Sequence, residues 1–301
     1  MIAQSDANNC SRSRCSIHLH ITQRHCRIPV KKPTAKSLIL DLLLASKGRP
    51  ISAKQAITAC GIFDISVNNT RVALVRLSAE GLIEAAGRAL YQLTEDAHTL
   101  ADHVASWRSR SLAIRPWTGG YIMVQADKLP RNEAKQQRTR DRALLMRGFR
   151  PLNEQLYIRP DNIETCVADV RESLYRLGLE KTAPVFFASE FDSELESRIK
   201  GLWNITEIER NYAHFQKKMS SWIQRHHELE PEVAARESFL LGGAAIKHVL
   251  YDPLLPEQWT DTRARAEFLN VVQELDQTGQ DIWLKYWESL DLKTASVEAL
   301  E

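Results

Sequence analysis

Residues 66–93 read SVNNTRVALVRLSAEGLIEAAGRALYQL, and the rest of the chain is organised around them. The first half has a helical period: Val67, Thr70, Ala73, Leu74 and Leu77 share one face at three- and four-residue spacing. Asn68, Asn69, Val72 and Arg76 fall on the opposite face, with Arg71 and Val75 on the flanks. Ser66 suits the N-cap and Gly81 the C-terminal stop. The second half is two short apolar runs around Gly87-Arg88, a hairpin with a basic tip. A helix displaying amides and arginines, followed at once by such a hairpin, is the pattern with which a winged helix-turn-helix reads DNA. The helix enters the major groove, and the wing touches backbone or minor groove. The expected contacts are Ser66, Asn68, Asn69, Arg71, Val72, Arg76 and Arg88.

Two helices are predicted before this stretch. Lys36 to Ser46 is strongly apolar and closed by Gly48 and Pro50. Ser52 caps a second, Ala53 to Cys60, ending at Gly61. The linker from Ile62 to Ile65 is as short as a helix-turn-helix requires.

A chain of 301 residues has room for two or three domains, and 44% hydrophobic with 26% charged residues is ordinary for a globular protein. No apolar run approaches a membrane span. The net charge of +2 hides an asymmetry. Residues 1–110 carry 15 Lys and Arg against 8 Asp and Glu, and the remainder carries 25 against 30. A basic N-terminal third on an acidic body suits an anionic partner held at one end. Residues 1–33 read as a disordered basic tail. They hold Cys10, Cys15, Cys26, His18, His20 and His25, without the close Cys-x-x-Cys spacing of a strong zinc site. Cys60 and Cys166 read as reduced core residues, and five cysteines without a framework fit a cytoplasmic protein.

After the wing, residues 94–110 read as helical, so that 97–116 form a linker helix. The period then changes. GYIMVQA (120–126) is a strand, 132–147 a basic helix, 154–158 a strand closed by Arg159-Pro160, 162–177 a helix, and PVFFA (184–188) a strand. A further strand is possible near Arg150. This alternation predicts a ferredoxin-like α+β domain over 117–190. From Asp192 onward the pattern is helical, with long helices expected at 211–229, 232–251 and 262–287. The predicted class is α+β: a winged helix-turn-helix over 34–96, the linker, the ferredoxin-like unit, and a helical C-terminal domain over 191–301.

No Gly-rich phosphate loop, nucleophile elbow or His-Glu-x-x-His occurs. His226 and His227 are adjacent and cannot form an i,i+4 metal pair. Asp127, just after the first central strand, is one carboxylate without partners, too few for Mg²⁺. No cofactor and no resident metal are expected. The Tyr/Phe/Met/Trp stripe over 212–222 reads as core.

The layout and several local runs resemble the PaaX family, repressors of phenylacetate catabolism, over roughly residues 34–288. The carriers are SLILDLLLA (37–45), the reading helix with its EGLIEA, Trp117 with Gly119, RGFRPLNEQLYIRP (147–160) and YDPLLPEQW (251–259). The resemblance implies a homodimer on an inverted-repeat operator, released by an aromatic acyl-CoA. The family usually places charged side chains where Val67 and Asn68 stand, which puts the operator and the regulated pathway in question. An acyl-CoA needs cations for its phosphates. The cluster Arg138, Arg140, Arg142, Arg147 and Arg150 could meet them, with the ligand between the ferredoxin-like unit and the helical domain; the competing readings of the cluster are a solvated basic face or an additional DNA contact. Two rivals stand beside this reading: a metal-dependent nuclease built on Asp127, and an activator or other DNA binder without a small-molecule ligand.

Overall fold

The computed structural model describes residues 33–298, apart from 47, 96, 98–106, 108–113, 128 and 164. The tail and most of the expected linker helix therefore lie outside the described residues. From Pro33 onward the chain is one contact unit.

Helix α1 (Ala35–Ala45) begins at a reciprocal cap: Thr34 Oγ1 accepts from Ser37 N–H, and Ser37 Oγ accepts from Thr34 N–H. It buries Leu38, Ile39, Leu42 and Leu43. Helix α2 (Ala53–Ile62) uses the same device with Ser52 and Gln55. It runs through Gly61 rather than stopping there, because Ile62 and Phe63 are both drawn into the core. Asp64, at φ 57°, turns the chain into helix α3 (Val67–Ala79). Ser66 Oγ caps α3 by accepting from Asn69 N–H at 3.3 Å. Gly81, at φ 68°, reverses the chain so that Leu82 N–H reaches Leu77 O at 3.0 Å.

Strands β2 (Ile83–Gly87) and β3 (Leu90–Leu93) form the hairpin, with Arg88-Ala89 as its turn. A two-residue strand, β1 (Ile51–Ser52), joins β3, giving the antiparallel order β1-β3-β2. Thr70, Ala73, Leu74 and Leu77 are buried, as their spacing predicts. Val67 is not: it is 47% exposed.

The central unit runs β4 (Tyr121–Gln125), α4 (Ala134–Met146), β5 (Arg150–Pro151), β6 (Leu156–Pro160), α5 (Val167–Leu177) and β7 (Val185–Ala188). Its sheet has the order β5-β6-β4-β7 with every neighbouring pair antiparallel. Ile122 and Val124 face a cluster with Leu144, Val170 and Leu174 from the two helices. Tyr121, Met123 and Ile158 face the other way, onto Ile199, Trp203 and Leu255. Burial on both faces is why Tyr121–Val124 are all apolar rather than alternating. Two boundaries move. Arg159 and Pro160 belong to β6 because they pair with Ile122 and Tyr121. The second helix starts at Val167, not Asn162, because Asn162 is wholly buried with its Nδ2 donating to Leu254 O at 2.7 Å.

The remaining helices are α6 (Ser193–Lys200), α7 (Ile205–Arg225), α8 (Pro231–Leu250) and α9 (Thr262–Glu298). His226–Glu228 form a 3-10 turn after α7, and His226 stacks on Trp222. Tyr212, Met219 and Trp222 are core, and Tyr212 stacks on Phe268 at 5.4 Å. α9 runs well past Trp287, where its apolar pattern was expected to stop. Ala235 of α8 and Tyr286 of α9 belong to the same core as α1–α3, so the N-terminal unit docks on this helical pair. No described helix is long and apolar enough to cross a membrane.

Candidate nucleic-acid interface

Three contacts, one buried and two nearer the surface, hold α3 in place. Its inner face packs on α1 and α2. Thr70 Oγ1 donates to Ser66 O at 3.1 Å, which ties the helix start to its own cap. Lys36 of α1 pairs with Glu80 at the far end. What remains outward is the predicted set: Asn68, Asn69, Arg71, Val72 and Arg76 are all exposed, as is Ser66. Among the described residues no carboxylate pairs with Arg71, Arg76 or Arg88. Amides and a guanidinium match adenine and guanine edges in a major groove, and a bare side-chain methyl matches thymine. The sequence reading had Val72 among the contacts but missed Val67 and Val75 beside it. Val67, Val72 and Val75 are 47%, 39% and 69% exposed, three valines on a helix that has a core available to bury them. An apolar residue breaking the expected face was the signal.

Arg88 stands at the hairpin turn, exposed beside Ala89 at φ 56°. Ala89 O accepts from Ala53 N–H at 2.9 Å, so the tip is anchored to the start of α2. Thr94 Oγ1 donates to Gly81 O at 2.7 Å, closing the hairpin's base onto the end of α3. Helix and tip are thereby held as one piece.

The five arginines of the expected effector cluster separate. Arg140 is 3% exposed, with Nε on Glu180 Oε2 at 2.7 Å and Nη1 on Asp127 O at 2.7 Å. Both groups are spent on holding α4 to the loop after α5 and to the end of β4. Arg147 is partly buried, and its guanidinium is pulled down by burial and by Arg176 beside it. Burial pulls Arg150 down to about 10, against the raising field of the Asp252 carboxylate. Its Nη1 donates to Phe149 O at 2.9 Å. Arg138 and Arg142, one turn apart on α4, are exposed.

Arg147 and Arg150 instead sit in a joint. Arg159, 1% exposed, donates to Pro160 O, Arg147 O and Asn162 Oδ1. Asn162 reaches Leu254 O, and Trp203 Nε1 donates to Gly148 O at 3.3 Å. Asp252 accepts from Tyr212 O–H at 2.6 Å and from Leu254 N–H at 2.8 Å. Runs 147–160 and 251–259 thus lock the sheet to the helical domain.

Asp127 is exposed at the end of β4, and no group of three or more His, Cys, Asp or Glu converges among the described residues. The tail cysteines and histidines lie outside those residues. A shallow cavity of about 300 Å³ lies between residues 114–117 and α9, close to where a ligand was expected. A larger one, about 620 Å³, lies elsewhere, between α1 and the α8–α9 pair.

Comparison with known proteins is consistent with this arrangement. Residues 34–97 match the family described as PaaX-like protein, and residues 203–285 match the PaaX-like protein C-terminal domain. The transcriptional repressor PaaX of Escherichia coli (strain K12) is 26% identical over 226 residues, covering 68% of either chain. An uncharacterized protein of Mycobacterium tuberculosis shares the fold. It has a TM-score of 0.54 and 18% identity over 83% of this chain and 98% of that one.

Proposed function

Because the chain belongs to the PaaX-like family, we propose that it is a transcriptional repressor of a phenylacetate-type catabolic operon, working as a homodimer released by an aromatic acyl-CoA. In this reading α1–α3 with the β2–β3 hairpin are a winged helix-turn-helix. The βαββαβ unit with strand order β5-β6-β4-β7 is ferredoxin-like. Asn68, Asn69, Val72 and Arg76 face base edges, while Ser66 and Arg71 flank them and Arg88 meets phosphate. The observation that carries the reading is the outward face of α3: amides, unpaired arginines and bare valines, rigidly aligned with a basic tip.

One such helix spans too few base pairs for genomic specificity, so two are expected about a twofold axis, on half-sites about 10 bp apart or a multiple of that. Of the arginine cluster, Arg138 and Arg142 keep guanidinium groups in solvent, where thioester phosphates can reach them. A nuclease on Asp127 is not favoured, since one exposed strand-end carboxylate provides a single ligand.

The test is fluorescence anisotropy of the full chain on DNA upstream of its own gene cluster, with and without Mg²⁺, phenylacetyl-CoA and phenylacetate. Specific binding released by the thioester alone is expected. Cleavage with Mg²⁺ would make it a nuclease, and binding indifferent to the thioester would make it a DNA binder with another signal or none.

A further inference from the structure

The larger cavity, about 620 Å³, is within the span of small-molecule sites, about 300–1,000 Å³. Its walls come from both sides of the seam that joins the DNA-reading unit to the helical domain. Leu42, Leu44 and Ile51 represent the reading unit, on α1 and β1. Ile246, Leu250 and Leu275 represent α8 and α9. Aromatic rings line it as well: Trp107, Phe239, Trp283 and Trp287. Trp283 and Trp287 lie 5.3 Å apart, and Phe239 stands edge-on to Trp283 at 6.3 Å. Phe239 also touches Phe63 of the reading unit at 5.3 Å, so one ring connects the cavity with that unit's core.

The lining includes three glycines on α8 and α9, Gly242, Gly243 and Gly279. Glycine inside a helix costs about 0.5–1 kcal/mol relative to alanine, so its placement here calls for a reason. A Cβ at Gly242 or Gly243 would meet nothing within 4 Å. Backbone packing therefore does not require either glycine, and what their missing side chains leave open is the cavity. Charged groups in the lining are mixed in sign, with Asp41, Asp276 and Glu288 against Arg49 and Lys247. Such a lining offers no net positive field for a polyanion.

We propose that this cavity is a binding site for the ring-bearing part of an aromatic small molecule, and that its occupant sets how the reading unit sits on the α8–α9 pair. The proposal rests on the repressor reading above. It places the effector's aromatic group at this seam, and leaves any phosphates outside it. Because the walls belong to two units, an occupant that fits one relative position of them excludes the others. That is the differential affinity a ligand needs to alter DNA binding.

Two cavity-filling variants, Gly242→Leu and Gly243→Leu, test this in the full chain, with circular dichroism and melting as checks on folding. The probes are anilinonaphthalene sulfonate, read by fluorescence, and phenylacetyl-CoA. The wild-type chain should bind the dye saturably, one per chain, and the thioester should displace it. The variants should lose dye affinity by about tenfold or more, the scale on which a pocket rejects a misfit. Their DNA affinity should no longer fall when the thioester is added.

Dye binding unchanged in two folded variants, or none by the wild type, overturns the proposal. So does thioester release of DNA that is equal in wild type and variants, although the repressor reading would survive it. Glycine-dependent dye binding with no response to the thioester sustains the cavity and overturns the acyl-CoA assignment instead.

Discussion

Arg76 and Arg88 are both exposed and without a carboxylate partner among the described residues, yet their removal should have different consequences. Neither substitution breaks a buried contact, so Arg76→Ala and Arg88→Ala should each change folding stability by about half a kcal/mol or less. Arg88, at the hairpin tip, is assigned to phosphate. Each phosphate contact adds about 0.9 to the slope of log affinity against log salt. At about 0.15 M salt that one contact is worth about fivefold in affinity per reading head, on any sequence. Arg88→Ala should therefore flatten the slope by about 0.9 per head and weaken operator and scrambled DNA alike. Arg76, in the last turn of α3, is assigned to a base edge. Its loss should cost about 1–3 kcal/mol per head, about 5- to 150-fold, on the operator only. Anisotropy titrations at four or more salt concentrations, on operator and scrambled duplexes, separate the two. Equal weakening on both duplexes with a flatter slope in Arg76→Ala would mean that α3 lies along the backbone. No change at all would mean that its outward face is not the reading face.

Three further outcomes concern the supporting architecture. Arg140→Ala removes a guanidinium bonded to Glu180 and Asp127 O, and should cost about 3–5 kcal/mol of stability in urea denaturation. Gly148→Ala places a Cβ 2.8 Å from Pro253 O at φ 80°. The backbone strain alone costs about 1–2 kcal/mol, and the melting temperature should fall accordingly. His248, packed on Phe215 at 4.0 Å, is pushed down to about 4, mainly by burial, then by Lys247 and His214 against the raising field of Asp252. The unfolded chain takes up this proton near pH 6.5 and the folded chain only near 4. The stability it contributes is thus complete above pH 6.5 and drains away as pH falls towards 4, a decline that His248→Phe should make shallower.

Helix α3 and the hairpin after it were legible in the sequence because their signals are local. A 3.6-residue period, a serine cap and a glycine stop all lie within 28 consecutive residues. The α+β class followed from strand and helix patterns of the same local kind. What stayed hidden is long-range. Strand β1 is two residues long, too short for any period, and exists only because β3 offers it an edge. Arg140 looked like its neighbours on α4, and what sets it apart is a carboxylate forty positions away. The apolar, Pro-rich run 251–259 had a distinctive composition, but its role in locking the sheet to the helical domain depends on Asn162 and Gly148, about a hundred residues earlier. The aromatic-lined cavity is assembled from α1, β1, α8 and α9, and no single one of them announces it.

The most direct test of the central claim is competition on the natural target. The full chain is titrated onto DNA from upstream of its own gene cluster, beside a scrambled duplex of equal length and charge, at one fixed salt concentration. The account predicts binding to the natural DNA about a thousandfold or more tighter than to the scrambled duplex. It also predicts that Asn68→Ala and Arg76→Ala each shrink that ratio while leaving scrambled binding unchanged. Equal affinity for the two duplexes, or a ratio untouched by both substitutions, would contradict it.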